Sequence, residues 1–132
     1  MIVLDASAAL ELVRGSDVGL GLSQRIATSE STLHAPNLLS LEVTQALRRA
    51  EAVGTMSPRR AAAALNDLLG LKLVRYGHEL TLWRVWELRA NLTAYDASYV
   101  ALAEALDAPL VTCDGRLARA PGHRAEVELL ST

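Results

Sequence analysis

Ile2-Val3-Leu4-Asp5, at the start of the chain, is a short apolar run closed by an acid and followed at once by the helix-like pattern of Ser7 to Arg14. A run of this kind with a helical pattern behind it reads as a strand buried on both faces. The same order recurs near the other end, where Pro109-Leu110-Val111-Thr112-Cys113 is closed by Asp114. Between these two runs, helical and strand-like segments alternate. Gly15-Ser16-Asp17 separates the first helix from a second over Val18 to Thr28, and Thr32-Leu33-His34-Ala35 suits a second short strand. Pro36 suits the first turn of a helix carried by Leu38, Leu39, Leu41, Val43, Ala46 and Leu47 to a stop at Gly54. Ser57-Pro58 is an N-cap with proline at the first helical position, opening a helix that ends at Gly70. Leu71 to Tyr76 reads as a third strand, and a helix containing Trp83, Trp86 and Leu88 runs to about Asn91. Thr93-Ala94-Tyr95-Asp96 has capping-box spacing at the start of a helix to about Asp107, and Val127 to Leu130 reads as a last strand. Strands separated by helices predict a doubly wound α/β domain, with a mainly parallel sheet covered on both faces.

The 132 residues, 51% of them hydrophobic and 21% charged, suffice for one well-filled domain over 1–132. This balance excludes a disordered chain, and no stretch has the composition of a linker or a repeat. No apolar run approaches the roughly 18 residues of a membrane span, and the start carries no basic leader-like segment. One cysteine rules out an internal disulfide framework and a cysteine-rich zinc site. A soluble, cytoplasmic protein with no membrane partner is therefore expected. The formal charge of −2 argues at first against a nucleic-acid partner, although 12 of the 13 basic residues are arginine, the better bidentate phosphate ligand.

In an open parallel sheet, ligands bind beyond the carboxyl ends of the strands. Asp5 and Asp114 close two strand candidates and so fall at one edge of the sheet. Asp96 sits in the first turn of a helix entering from that edge, and Glu42 lies about two turns into the helix opened by Pro36. Each has a plain alternative: Asp96 as a helix cap, Glu42 as a solvated helix residue. Asp5 and Asp114 are harder to dismiss, because an acid after a buried run needs a partner, a cleft or a cation. If the four converge, their mutual repulsion calls for a cation. An all-carboxylate oxygen set suits Mg²⁺ or Mn²⁺ rather than zinc, and such ions assist phosphodiester hydrolysis.

Four segments together carry a resemblance. Met1-Ile2-Val3-Leu4-Asp5-Ala6-Ser7, His34-Ala35-Pro36 with Leu41-Glu42-Val43, Tyr95-Asp96-Ala97-Ser98-Tyr99 with Ala101-Leu102-Ala103, and Leu110-Val111-Thr112-Cys113-Asp114 with Arg116-Leu117-Ala118 follow one another in order. The pattern, over essentially the whole chain, resembles the PIN-domain toxins of VapBC toxin–antitoxin pairs. The resemblance implies a three-layer α/β/α PIN fold and a Mg²⁺- or Mn²⁺-dependent endoribonuclease acting on RNA. It also implies a homodimer and inhibition by a cognate VapB-type antitoxin. Position by position, Asp5, Glu42, Asp96 and Asp114 match the family's acidic, metal-binding catalytic site. Ser7 matches a hydroxyl residue that supports the first Asp by hydrogen bonding, and Thr112 is given a similar part. Many PIN domains carry a further acid or Asn shortly after the last Asp. Gly115-Arg116 stands there instead, which weakens the case for a second tightly held metal and leaves the first in place.

Other residues are set aside. His34, His78 and His123 have no ligand spacing, and Cys113 has no adjacent histidine to activate it. Trp83 and Trp86 share a helix face and are assigned to core packing or a subunit contact rather than to base stacking. Tyr95 and Tyr99 are assigned to packing around the acids. Arg48-Arg49 and Arg59-Arg60 serve equally as an RNA rim or as solvated helix ends, and Arg116 is read by default as a surface residue, with contact to a phosphate as its alternative. The apolar surface between the helices on either side of Gly54 suits an antitoxin segment, by resemblance and by the helix-in-groove mode. A haloacid-dehalogenase-type phosphatase would need an Asp where Ser7 stands. A receiver module would need paired acids after the first strand, and a dinucleotide fold would need glycines there. The remaining rival is a PIN scaffold without activity that serves only as a binding partner.

Overall fold

The computed structural model describes residues 1–131. Five strands form one sheet: β1 (Ile2–Leu4), β2 (Leu33–Pro36), β3 (Leu73–Tyr76), β4 (Leu110–Thr112) and β5 (Val127–Leu129). Their spatial order is β3-β2-β1-β4-β5 and every pair is parallel, with Val3 opposite His34 on one side and Leu110 on the other. The chain therefore builds outward from β1 in one direction, then returns to build the other half. The gap between β1 and β4 is the point where the winding reverses.

Helices α1 (Ala6–Arg14), α2 (Asp17–Ser29), α3 (Leu38–Ala52) and α4 (Pro58–Gly70) pack on one another, with α1 lying on β1 and β4. Helix α6 (Ala94–Leu106) crosses β1, β2 and β4, and α5 (Leu82–Glu87) packs on α6. The sheet is thus a middle layer between helices, as the alternating pattern predicts. The residues of α6 explain its position: Ala97 through Ala103 are all buried, and a helix apolar on every side must lie inside. Arg84 ties α5 to α6 with a two-pronged contact to Glu104, 2.7 and 3.0 Å. Burial alone would raise the Glu104 carboxyl, but hydrogen bonds from Arg84 and from the Arg124 backbone outweigh it and hold it below the ordinary range. No helix among the described residues is long and apolar enough to cross a membrane.

Local signals account for most boundaries. Asp5, Ser16, Ser57 and Thr93 each cap a helix through a side-chain oxygen, and Gly15 closes α1 at a φ of 67°. Gly19 lets α2 sit directly on α1, because a Cβ there would lie 2.0 Å from the Glu11 carbonyl oxygen.

Four expectations change. Pro36 ends β2 beside Tyr76 rather than opening a helix, and Asn37 precedes α3. A strand end tolerates proline's missing N–H as well as a first helical turn does. The helix expected up to Asn91 is a 3-10 turn at Glu79–Thr81 followed by the shorter α5, so Leu88 is its C-cap. Trp83 and Trp86 are not core residues; they are 82% and 58% exposed. Finally, a short helix α7 (Gly115–Ala118) follows Asp114.

Candidate active site

The first two acids come from strand ends on either side of the reversal point. Asp5 follows β1 and also caps α1, accepting the Ala8 N–H at 3.0 Å through Oδ1. Asp114 lies two residues beyond β4 and caps α7, accepting the Arg116 N–H at 2.9 Å. One carboxylate at each place thus satisfies helix donors while standing at the carboxyl edge of the sheet.

Asp96 comes from the first turn of α6. Its N–H is taken by the capping hydroxyl of Thr93 at 3.2 Å, but its carboxylate points elsewhere, to Arg116. The cap and the acid are therefore separate functions of that turn. Glu42 comes from α3 and accepts the Tyr99 hydroxyl at 2.5 Å. All four acids, together with Ser7, line one cleft of about 410 Å³. Thr112 does not reach the cleft wall; it lies wholly buried beneath Asp5.

Asp5 is only 5% exposed, and its two oxygens are held from below. Ser7 Oγ donates to Oδ1 at 2.7 Å and Thr112 Oγ1 donates to Oδ2 at 2.5 Å. Ser7 in turn accepts the Cys113 N–H at 2.8 Å, and Thr112 accepts the Asp114 N–H at 2.9 Å. These two hydroxyls lock the end of β1 to the end of β4. Burial pushes the Asp5 carboxyl up, the donors from Thr112, Ser7 and Ala8 work against it, and the charge of Asp114 adds to the rise. The Tyr99 hydroxyl is pushed far up, first by burial and then by the bond to Glu42 and the charges of Glu42, Asp5 and Asp96. Tyr99 therefore acts as a neutral donor in a strongly negative field.

Several cleft residues escape a reading of the sequence alone. Gln45, Ala46 and Arg49 continue the stripe that the expected Glu42 begins along α3, and all four line the cleft. Arg48, one residue earlier, points to the groove between α3 and α4 instead. Helical phase is the signal that separates these adjacent arginines. Arg60 is neither rim nor solvated end: its guanidinium donates to the Val13 and Arg14 carbonyls, closing the last turn of α1. Tyr99 both packs and faces the site, being 2% exposed with its hydroxyl on Glu42. Arg116, read as a surface residue, bridges Asp96 and Asp114 at 3.2 and 3.4 Å. His34 is a structural residue, its ring nitrogens engaged by Tyr76 and Thr32.

The donor set is oxygen only, which fits a hard divalent cation. Among the described residues no group of three or more acidic, imidazole or thiol side chains is drawn close enough to hold a metal ion together. Mg²⁺ is commonly held by one or two carboxylates and keeps its remaining positions hydrated, so an open acidic cleft fits it. The Oδ2 atoms of Asp96 and Asp114 are already shared by the Arg116 guanidinium.

A family model described as PIN domain matches residues 2–123 of this chain. The chain belongs to the PIN-domain family. This PIN domain is 45% identical over 129 residues to ribonuclease VapC1 of Mycobacterium tuberculosis, covering 97% of this chain and 96% of that one. It is 40% identical over 131 residues to ribonuclease VapC12 of the same organism, covering 99% and 100%. Among solved structures, VapBC2 from Rickettsia felis bound to a promoter DNA fragment superposes with a TM-score of 0.73, covering 99% of this chain and 100% of that one. At 16% identity that likeness speaks for the PIN fold alone.

Proposed function

We propose that this PIN domain is a Mg²⁺- or Mn²⁺-dependent endoribonuclease, the toxin of a toxin–antitoxin pair. The observation that carries the reading is the convergence of Asp5, Glu42, Asp96 and Asp114 on one cleft at the carboxyl edge of the sheet. The two mycobacterial relatives named as ribonucleases support the same substrate class.

Asp96 and Asp114 would hold the cation through their outward oxygens, with Asp5 and Glu42 completing the negative wall. A divalent ion there supplies positive charge for the phosphodiester in the transition state and acidifies an attacking water. Ser7 and Thr112 fix Asp5 so that its carboxylate does not turn away. Tyr99 fixes Glu42 in the same manner. Arg49 offers the RNA backbone a positive group on the α3 side.

Partners follow from two surfaces. The groove between α3 and α4, lined by Leu47, Arg48, Pro58, Ala61 and Leu65, suits an amphipathic segment of a VapB-type antitoxin. The exposed apolar face of Leu80, Leu82, Trp83 and Trp86 suits a homodimer contact. Both, with a cytoplasmic location, belong to this proposal.

The test compares antitoxin-free wild type with Asp96→Asn for RNA cleavage in Mg²⁺ or Mn²⁺. The variant is expected to lose at least about a hundredfold, the scale of removing a main source of transition-state charge stabilisation. Equal activity would sink the mechanism, and inactivity of both proteins would favour a binding scaffold.

A further inference from the structure

A single guanidinium nitrogen stands between two carboxylates of the cleft, Asp96 and Asp114. Arg116 Nη2 lies 3.2 Å from Asp96 Oδ2 and 3.4 Å from Asp114 Oδ2, joining the start of α6 to the end of the sheet. The root of this side chain is fixed, because the Arg116 N–H is bound by Asp114 Oδ1 at 2.9 Å. Its far end is held only through these two contacts: the side chain is 73% exposed, and ion pairs in such a setting are weak and exchangeable. The guanidinium does not lose its charge near neutral pH, so it leaves only by being displaced.

Resting on the reading of the cleft as a divalent-metal RNA site, we propose that Arg116 is an exchangeable counter-ion. It holds Asp96 and Asp114 together before the cation binds, then turns outward to grip a phosphate of the RNA strand. Two arguments lead there. A divalent cation held by the Oδ2 atoms of Asp96 and Asp114 would compete with the guanidinium that now occupies them, and like charges so close repel. Once displaced, a planar fork rooted at the cleft mouth finds its matching anion in the substrate backbone, which it can contact through two parallel hydrogen bonds. Arg116 is thus a substrate-positioning residue whose contribution appears only when the metal is present.

Two measurements on wild type, Arg116→Gln and Arg116→Lys test this. In calorimetric titration with Mn²⁺ and no RNA, Arg116→Gln should bind the ion about threefold to tenfold more tightly, the scale of losing two exposed ion pairs. In anisotropy with a fluorescent, nuclease-resistant 2′-O-methyl phosphorothioate RNA of mixed sequence, the same variant should bind about tenfold more weakly than wild type in Mn²⁺. With EDTA the two should bind that RNA alike, because Arg116 is then engaged by the acids. Arg116→Lys, which keeps the charge but not the fork, should fall between them in both assays. Mn²⁺ binding by Arg116→Gln no tighter than by wild type, or unchanged RNA binding in Mn²⁺, overturns the proposal and leaves the metal site standing. Absence of any Mn²⁺ binding by wild type would overturn both.

Discussion

Asp5 illustrates the conflict between stability and chemistry in one residue. Its carboxylate is buried, and burial raises its pKa, assisted by Asp114 and opposed by the hydroxyls of Thr112 and Ser7 and the N–H of Ala8. An acid raised on folding keeps its proton in the native state through a range where the unfolded chain has released it. Stability associated with Asp5 therefore falls as pH climbs from the ordinary carboxylate value of 3.8 through the raised one, and stays low above it. Asp5→Asn removes this loss while keeping an oxygen to cap α1. Near pH 7 and without divalent metal, the variant is expected to melt at a higher temperature than wild type. Added Mg²⁺ should then raise the Tm of wild type more than that of the variant. A thermal melt in which Asp5→Asn is less stable, or gains as much from Mg²⁺, would contradict this. Asp5 and Asp114 were legible from sequence because an acid closing an apolar run has few bland explanations. Arg116 was not, since nothing local ties residue 116 to residue 96. Tyr99 was legible only in part, because packing and hydrogen bonding to Glu42 leave the same trace in a sequence.

The strands and most helices were legible as elements because short apolar runs, capping residues and glycine stops agree with one another. The failures share a cause: a local signal compatible with two outcomes. Pro36 fits a strand end as well as a helix start. Trp83 and Trp86 form an apolar stripe that sequence cannot assign to a core or to another chain, and the four residues of α7 are too few to show a period. Gly19 belongs to this scale as well. It matters through the crossing of α1 and α2, where a Cβ would meet the Glu11 carbonyl oxygen at 2.0 Å and its carbon at 2.6 Å. Neither atom can swing aside, so Gly19→Ala must push the helices apart. The expected cost is about 3 kcal/mol, at the upper end of overpacking effects. Gly21→Ala, on the same helix with nothing within 4 Å, should stabilise by roughly 0.5–1 kcal/mol. Urea melts of the two variants check the pair, and a Gly19→Ala protein as stable as wild type would show that the helices do not approach so closely.

Over the whole molecule, charge acquires a meaning that its total conceals. Four of the 15 acids line one cleft, leaving 11 elsewhere against 13 basic residues. The rest of the chain is mildly basic, so a formal charge of −2 is no obstacle to an RNA partner. The sheet order explains how remote acids meet: β1 and β4 are neighbours at the reversal of winding, and α3 and α6 flank that edge with Glu42 and Asp96. On the proposed function, a cleft that holds the negative charge and receives the RNA also explains how inhibition from outside would work. A basic antitoxin side chain entering it would offset the same charges as the metal. The most direct measurement is RNA cleavage by purified, antitoxin-free protein treated with EDTA and then resupplied with Mg²⁺ or Mn²⁺. Cleavage is expected to stop in the chelator and return with either ion. Cleavage that continues at full rate in EDTA would contradict the central claim that these carboxylates work through a divalent cation.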